Sequence, residues 1–140
     1  MQFNVSTLGY QNISISYDLR HSNTSSRYEQ VQYSLDGNSF IDSTVFDGNS
    51  GDTWFNNRMI DFSAIPGVSD NANFAFRILA TFAPDSSTYL PSNGTSSYGT
   101  AGTWRFDMVT VTGSPVPVPA AVWLMGSALF GLIGFRRAQS

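Results

Sequence analysis

The sequence predicts an all-β fold, an antiparallel β-sandwich of jelly-roll type, followed by a single C-terminal transmembrane helix. Three observations indicate this fold: segments in which apolar and polar side chains alternate, turns rich in Gly, Asn, Asp and Ser between them, and a long uncharged apolar segment near the C-terminus. Before that segment no helical period occurs, apart from a single-turn candidate at residues 63–65.

Alternation with a period of two predicts about seven strands. The clearest are residues 13–20 and 31–35, and the Asp36-Gly37-Asn38 turn predicts a hairpin between the second of these and the next strand. Residues 74–82 carry apolar side chains on both faces, as a central strand does. Weaker strands are expected at residues 2–8, 39–46 and 58–62.

The last predicted strand, residues 104–111, changes phase in its middle. Trp104, Phe106 and Met108 share one parity, whereas Val109 and Val111 share the other. An extra residue in one strand of a pair shifts the phase in this way. A β-bulge is therefore expected near residues 107–108.

The composition excludes several function classes. The 140 residues suffice for one domain, and they include no Cys, one His, one Glu and no Lys. Disulfides, thiolate metal sites and Cys nucleophiles are absent, and His21 has no nucleophile beside it, so we expect no enzyme activity and no catalytic residue. Before residue 114, five Arg stand against ten acidic residues, which argues against nucleic acid as a partner.

The C-terminal segment predicts a membrane partner. Residues 116–135 contain no charged side chain and are followed at once by Arg136 and Arg137. At about 1.5 Å per residue, a helix of this length spans the roughly 30 Å of a bilayer core. Basic residues favour the cytoplasmic side, so the preceding body is expected outside the cell. This divides the chain into a β-sandwich ectodomain (1–113), a Pro-rich linker (114–118), a transmembrane helix (119–135) and a basic cytoplasmic tail (136–140).

The same segment resembles the PEP-CTERM sorting signal of exported bacterial proteins. The resemblance covers about the last 25 residues, and Val118 stands where Glu gives the motif its name. It implies that an exosortase-type membrane enzyme recognises and processes the chain, with Arg136 and Arg137 as the basic stop. The implied recognition motif consists of Val116, Pro117, Val118, Pro119, Ala120 and Ala121.

The N-terminal residues carry no basic and apolar export signal, so we expect the sequence to be the C-terminal part of a longer product.

Three body segments, 10–20, 31–37 and 102–107, resemble sandwich domains of bacterial secreted proteins, which implies a sandwich fold and export but no reaction. The expected location is the cell envelope: the inner membrane during export, then the cell surface or the extracellular matrix.

Two groups of residues are candidates for ligand binding. Asp47, Asn49 and Asp52 offer the hard oxygen ligands that Ca²⁺ prefers, although the same residue types form ordinary turns, and no other cofactor is indicated. Trp54, Tyr89 and Tyr98 lie near polar loops, where aromatic rings can stack on the sugars of a polysaccharide. Tyr89 and Tyr98 fall in the long Ser/Thr/Gly-rich loop at residues 84–102.

These observations predict an exported, surface- or matrix-associated protein with a structural or binding role. Three alternatives stay open: an accessory domain of a larger secreted enzyme, a single-span membrane protein that is not processed, and a calcium-dependent carbohydrate-binding module. The sequence names no ligand.

Overall fold

The computed structural model describes residues 1–117, and within them all regular structure is β-strand, as the sequence predicted. The predicted transmembrane helix at 119–135 lies outside the described residues. No helix within residues 1–117 is long and apolar enough to cross a membrane. The strands are β1 (Gln2–Asn4), β2 (Tyr10–His21), β3 (Tyr28–Ser34), β4 (Ile41–Asp47), β5 (Thr53–Asp61), β6 (Ala75–Thr81) and β7 (Trp104–Pro115).

The strands form two antiparallel sheets. One sheet has the order β1-β6-β3-β4 and the other has the order β5-β2-β7. β6 lies between β1 and β3, which confirms the prediction of a central strand, and β3 pairs with β4 in the predicted hairpin. The order places β7 and β5 on either side of β2, so this 12-residue strand is paired along both edges.

The inward residues of both sheets share one core, in a sandwich-like arrangement. Burying each of these apolar side chains contributes about 1.5–3 kcal/mol. On β2 every second residue points into this core, which is why its sequence alternates so strictly. The buried core residues are Ile13, Ile15, Tyr17 and Leu19 from β2, Val31 from β3, Ile60 from β5, Phe76 and Ile78 from β6, and Phe62, Val68 and Phe74 from the connection between β5 and β6.

The β3–β4 turn is organised by Asp36. Its carboxylate accepts hydrogen bonds from the backbone N–H groups of Ser39 and Asn38, at 2.6 and 2.8 Å, and from the hydroxyls of Ser39 and Ser34. These bonds favour the ionised form and lower the pKa of Asp36 below its usual range. The turn that the sequence predicted is therefore held by hydrogen bonds to a single carboxylate.

β7 contains the predicted bulge. Asp107 pairs with Asp18 and Thr110 pairs with Ser16, so two residues of β7 face a single residue of β2. The first of them, Met108, has a φ of 50°. β7 extends to Pro115, two residues into the segment expected to be linker.

Two weaker strands differ in extent from their prediction. β1 ends at Asn4 because the chain then turns to the β5–β6 connection, where the Thr7 hydroxyl donates to the carbonyl of Val68 at 2.6 Å. β5 starts at Thr53, five residues early, and a bulge at Asn57 (φ 57°) breaks its alternation and hid its first half. Residues 63–65 form a hydrogen-bonded turn, not a helix.

The two ends of the molecule differ in what they carry. β7 begins at Trp104, opposite His21, and ends at Pro115, opposite Tyr10. We call the first end the loop end, because the 84–102 loop is hydrogen-bonded there to the β2–β3 connection, and the second the tail end. Residues 118–140 therefore continue from the tail end.

Candidate functional site

The most unusual feature inside the molecule is a charged cluster, formed by Tyr17, His21, Glu29 and Arg58. Tyr17, His21 and Glu29 are at most 1% exposed, and the Arg58 side chain is 16% exposed. Glu29 belongs to one sheet, whereas the other three belong to the facing sheet. The cluster therefore ties the two sheets together with charge instead of apolar contact.

Glu29 is the centre of the cluster. Tyr17 donates its hydroxyl to Glu29 Oε2 at 3.0 Å. Arg58 Nε lies 3.0 Å from Glu29 Oε1, but its N–H does not point at that oxygen, so this ion pair is not a directed hydrogen bond. Burial and the adjacent Glu29 carboxylate raise the pKa of Tyr17 well above its usual value near 10.

Arg58 is held from several sides. Its Nη2 donates to the backbone carbonyl of Asp47 at 2.6 Å, and its guanidinium lies 4.7 Å from the ring centroids of both Phe46 and Phe55. A guanidinium between two aromatic rings gains cation–π attraction that grows as water is excluded. The arginine is thus fixed in place without being bonded to Glu29 in ideal geometry.

His21 closes the cluster toward the loop end. Its Nδ1 lies 2.9 Å from the carbonyl oxygen of Ser26, which also accepts the indole N–H of Trp104 at 3.0 Å. Its Nε2 lies 3.8 Å from Glu29 Oε1. A Cβ on Gly48 would come within 2.5 Å of the imidazole, so only glycine fits beside this ring.

His21 lies one residue beyond the strand predicted at 13–20, yet the structure includes it in β2. It continues the inward positions of β2 after Ile15, Tyr17 and Leu19, and it is fully buried. The charged cluster is the part of the interior that no sequence pattern singled out.

The two acidic calcium candidates are paired with arginines in the structure. Asp47 accepts two hydrogen bonds from Arg27, both at 2.7 Å, and Asp52 pairs with Arg20 at 2.8 Å. Asn49 lies exposed in the turn between them. Within residues 1–117, no group of three or more His, Cys, Asp or Glu side chains lies close enough to hold a metal ion.

The aromatic candidates separate into two places. The rings of Tyr89 and Tyr98 stack, with centroids 4.9 Å apart and planes 23° apart, and Phe82 packs on Tyr89 at 4.6 Å. We call these three rings the aromatic ladder. Trp54 lies on β5 in register with Arg20, and no aromatic pair within residues 1–117 includes it. Two of the three candidates therefore share one surface, and Phe82 is a member that the sequence did not reveal.

The aromatic ladder is held by its own loop. Within the loop, the N–H of Ala83 bonds to the carbonyl of Thr88 at 3.0 Å. The N–H of Arg27 bonds to the carbonyl of Leu90 at 2.9 Å, and that of Gly99 bonds to the carbonyl of Thr24 at 3.0 Å. These bonds fix the backbone on both sides of Tyr89 and next to Tyr98. The backbone that carries Tyr89 and Tyr98 is therefore held in place by hydrogen bonds.

Ser92 fixes the middle of the same loop. It is fully buried, its N–H bonds to the carbonyl of Ser25 at 3.0 Å, and its hydroxyl donates to the carbonyl of Gly48. The loop end is thus one connected structure, in which the 84–102 loop, the β2–β3 connection and the turn after β4 hold one another.

The sorting-motif residues lie mostly outside the described residues. Val116 and Pro117 are described, and the N–H of Val116 bonds to the carbonyl of Gly9 at 2.8 Å, which holds the chain at the tail end. Val118 to Ala121, Arg136 and Arg137 are not among the described residues.

No protein-family model, curated protein or solved structure matches the chain.

Proposed function

We propose that this chain is an exported bacterial surface or matrix protein, whose non-catalytic β-domain is delivered by a C-terminal sorting signal of the PEP-CTERM type. The observation that carries the proposal is the order of features at the C-terminus. The Val-Pro-Val-Pro-Ala-Ala motif comes first, an uncharged segment of transmembrane length follows, and Arg136 and Arg137 come directly after it.

The geometry of the body is consistent with this arrangement. The chain leaves the last strand at the tail end, where Val116 is bonded to Gly9. The 84–102 loop lies at the loop end, about twelve strand residues away, which is roughly 40 Å at the usual rise of 3.3 Å per residue. A domain held at its C-terminus by a membrane would therefore present the loop end to the surroundings.

The placement of the titratable side chains supports a role without catalysis. His21 and Glu29, the residues best suited to acid–base chemistry, are both fully buried. A general acid or base must come within hydrogen-bonding reach of its substrate. A structural or binding role for the domain requires no such access.

The proposal is tested by intact mass spectrometry of the protein made in its native host and separated into membrane and released fractions. We expect the mature chain to end within residues 116–121. The variant Pro117→Ala/Pro119→Ala should accumulate with its C-terminus intact in the membrane fraction, because it lacks both prolines of the motif.

Pro115→Ala is the matched control, since Pro115 is the last residue of β7 and lies just outside the motif. It should be processed like the wild type. A wild-type protein that keeps Ser140 and stays in the membrane fraction would overturn the sorting proposal and leave a domain tethered by a permanent span.

A further inference from the structure

The aromatic ladder places exposed aromatic rings at the loop end. Phe82 is 44% exposed and Tyr98 is 37% exposed, and both lie at the surface, not among the core residues. Within residues 1–117, the only aromatic ring that stacks on Tyr98 is that of Tyr89. Exposing aromatic rings to water costs free energy unless a ligand covers them.

The surroundings of the ladder are polar but almost uncharged. Eight of the 19 residues in the 84–102 loop are Ser or Thr, and Asp85 is its only charged residue. Arg27, whose N–H bonds to the carbonyl of Leu90 in this loop, already has its side chain bonded twice to Asp47. The aromatic rings can stack on apolar ring faces, and the hydroxyls around them can form hydrogen bonds. Both features match a ligand that has apolar ring faces and a hydroxylated edge.

We infer that the aromatic ladder binds the pyranose rings of a neutral polysaccharide, with Tyr98 as the outer stacking ring. The inference rests on the proposed function in one respect, namely that the loop end faces the medium outside the cell. It requires no metal ion, because the carboxylates of the two acidic candidates, Asp47 and Asp52, are paired with arginines.

The size of the patch favours a sugar over a protein. At about 200 Å² for a whole aromatic side chain, the exposed parts of the three rings amount to roughly 200 Å². A stable protein interface buries about 800 Å² on each partner. A few stacked sugar rings are well matched to a patch of this size.

Charge favours a neutral polymer over an acidic one. The described body carries five Arg against ten acidic residues, a net charge of −5, and has no Lys. A protein that binds an acidic polymer needs clustered positive charges, and a domain with a net negative charge repels such a polymer. The preformed backbone around the ladder also lowers the ordering cost of binding.

The test is affinity electrophoresis of the full chain in a zwitterionic detergent free of sugar, through gels containing hydroxyethylcellulose, dextran or polygalacturonate. We expect at least one of the two neutral polymers to retard the wild type more than polygalacturonate does. Tyr98→Ala should weaken that binding about tenfold, which corresponds to about 1.4 kcal/mol. Tyr98→Phe keeps the ring and should bind like the wild type.

Trp54→Ala is the matched control, because Trp54 is 41% exposed but forms no aromatic pair with the rings of the ladder. It should leave the retardation unchanged, and near-ultraviolet circular dichroism should show that all variants are folded. The inference is overturned if neither neutral polymer retards the chain, if polygalacturonate binds best, or if Tyr98→Ala binds like the wild type. An equal loss in Trp54→Ala would also overturn it.

Self-association through the ladder is the competing outcome. Sedimentation that shows a dimer abolished by Tyr98→Ala, without sugar binding, would replace the polysaccharide by a second copy. The electrophoresis uses purified protein, so its result does not depend on export. A processed chain that binds no sugar would overturn this inference alone, whereas an unprocessed chain that binds sugar would overturn only the proposed function.

Discussion

The interior between the sheets is filled by apolar rings toward the tail end and by the charged cluster toward the loop end. Toward the tail end, Phe62, Phe74 and Phe76 pack ring on ring, with centroids 5.6 and 6.5 Å apart, and each is at most 1% exposed. Toward the loop end, the charged cluster fills the same space between the sheets with a carboxylate, a guanidinium, a phenol and an imidazole. We call the three phenylalanines the aromatic core.

The difference between these regions lies in how strictly each specifies its side chains. Apolar contact has no direction, so an aromatic core accepts other side chains of similar volume. A buried carboxylate needs its own donors and its own countercharge, and removing one partner leaves an uncompensated charge. The charged cluster should therefore fix the alignment of the sheets beneath the loops, whereas the aromatic core mainly supplies stability.

The largest effect is expected at the centre of the charged cluster. Glu29→Gln keeps the shape of the side chain but removes its charge, which leaves Arg58 without a countercharge. Breaking a buried ion pair costs about 3–5 kcal/mol, and the 16% exposure of the Arg58 side chain favours the lower end of that range. The free energy of unfolding should therefore fall by about 3 kcal/mol, as measured by urea denaturation.

The matched control removes both charges together. In Glu29→Met/Arg58→Met no charge is left uncompensated, so the double variant should be more stable than Glu29→Gln. Replacing a whole buried ion pair by apolar side chains is often neutral or stabilising. If the double variant is as unstable as the single one, the charge balance does not explain the cluster.

A smaller effect is expected at Tyr17. Tyr17→Phe removes the hydroxyl that donates to Glu29 Oε2, and a hydrogen bond to a charged group is worth about 1.5–3 kcal/mol. Urea denaturation at pH 7 should therefore show a loss of about 2 kcal/mol. Tyr33→Phe is the control, because no hydrogen bond of the Tyr33 hydroxyl is found within residues 1–117, and it should lose almost nothing.

The same variant has a pH signature. The pKa of Tyr17 is raised in the folded state, so its protonated form stabilises the fold fully below the unfolded pKa of about 10, and this contribution is lost as the pH rises further. Between pH 10 and 11 the wild type should lose about 1 kcal/mol from this group, with a slope that approaches about 1.4 kcal/mol per pH unit at higher pH, and Tyr17→Phe should not. Identical slopes between pH 10 and 11 would show that the phenol is not held by burial.

Alternation predicted the architecture better than it predicted the contents of the core. The strands at 13–20, 31–35 and 74–82 and the bulge in β7 follow from side-chain parity, because a half-buried strand must alternate. The hairpin follows from the Asp36-Gly37-Asn38 turn. The bulge at Asn57 breaks that parity, and the first half of β5 was missed for this reason.

Side-chain parity also assigns inward positions to residues of the charged cluster, although their residue types are typical of the surface. His21 continues the inward positions of β2, and Glu29 has the same parity as Val31 on β3. A charged or titratable residue is normally assigned to the surface, so parity alone does not predict that His21 and Glu29 are buried. The contact between the carboxylate, the guanidinium and the imidazole depends on the order of the strands in the sheets. The sequence of a single strand does not specify that order.

The smallest effect is expected in the aromatic core, and it completes the comparison. Phe74→Leu keeps an apolar side chain of similar size, and such replacements cost less than about 1.5 kcal/mol. In the same urea experiment it should therefore lose less than half of what Glu29→Gln loses, although both side chains are fully buried. A larger loss for Phe74→Leu than for Glu29→Gln would reverse the assignment, because the stricter region would then be the ring packing at the tail end. The charged cluster would be the tolerant part of the interior.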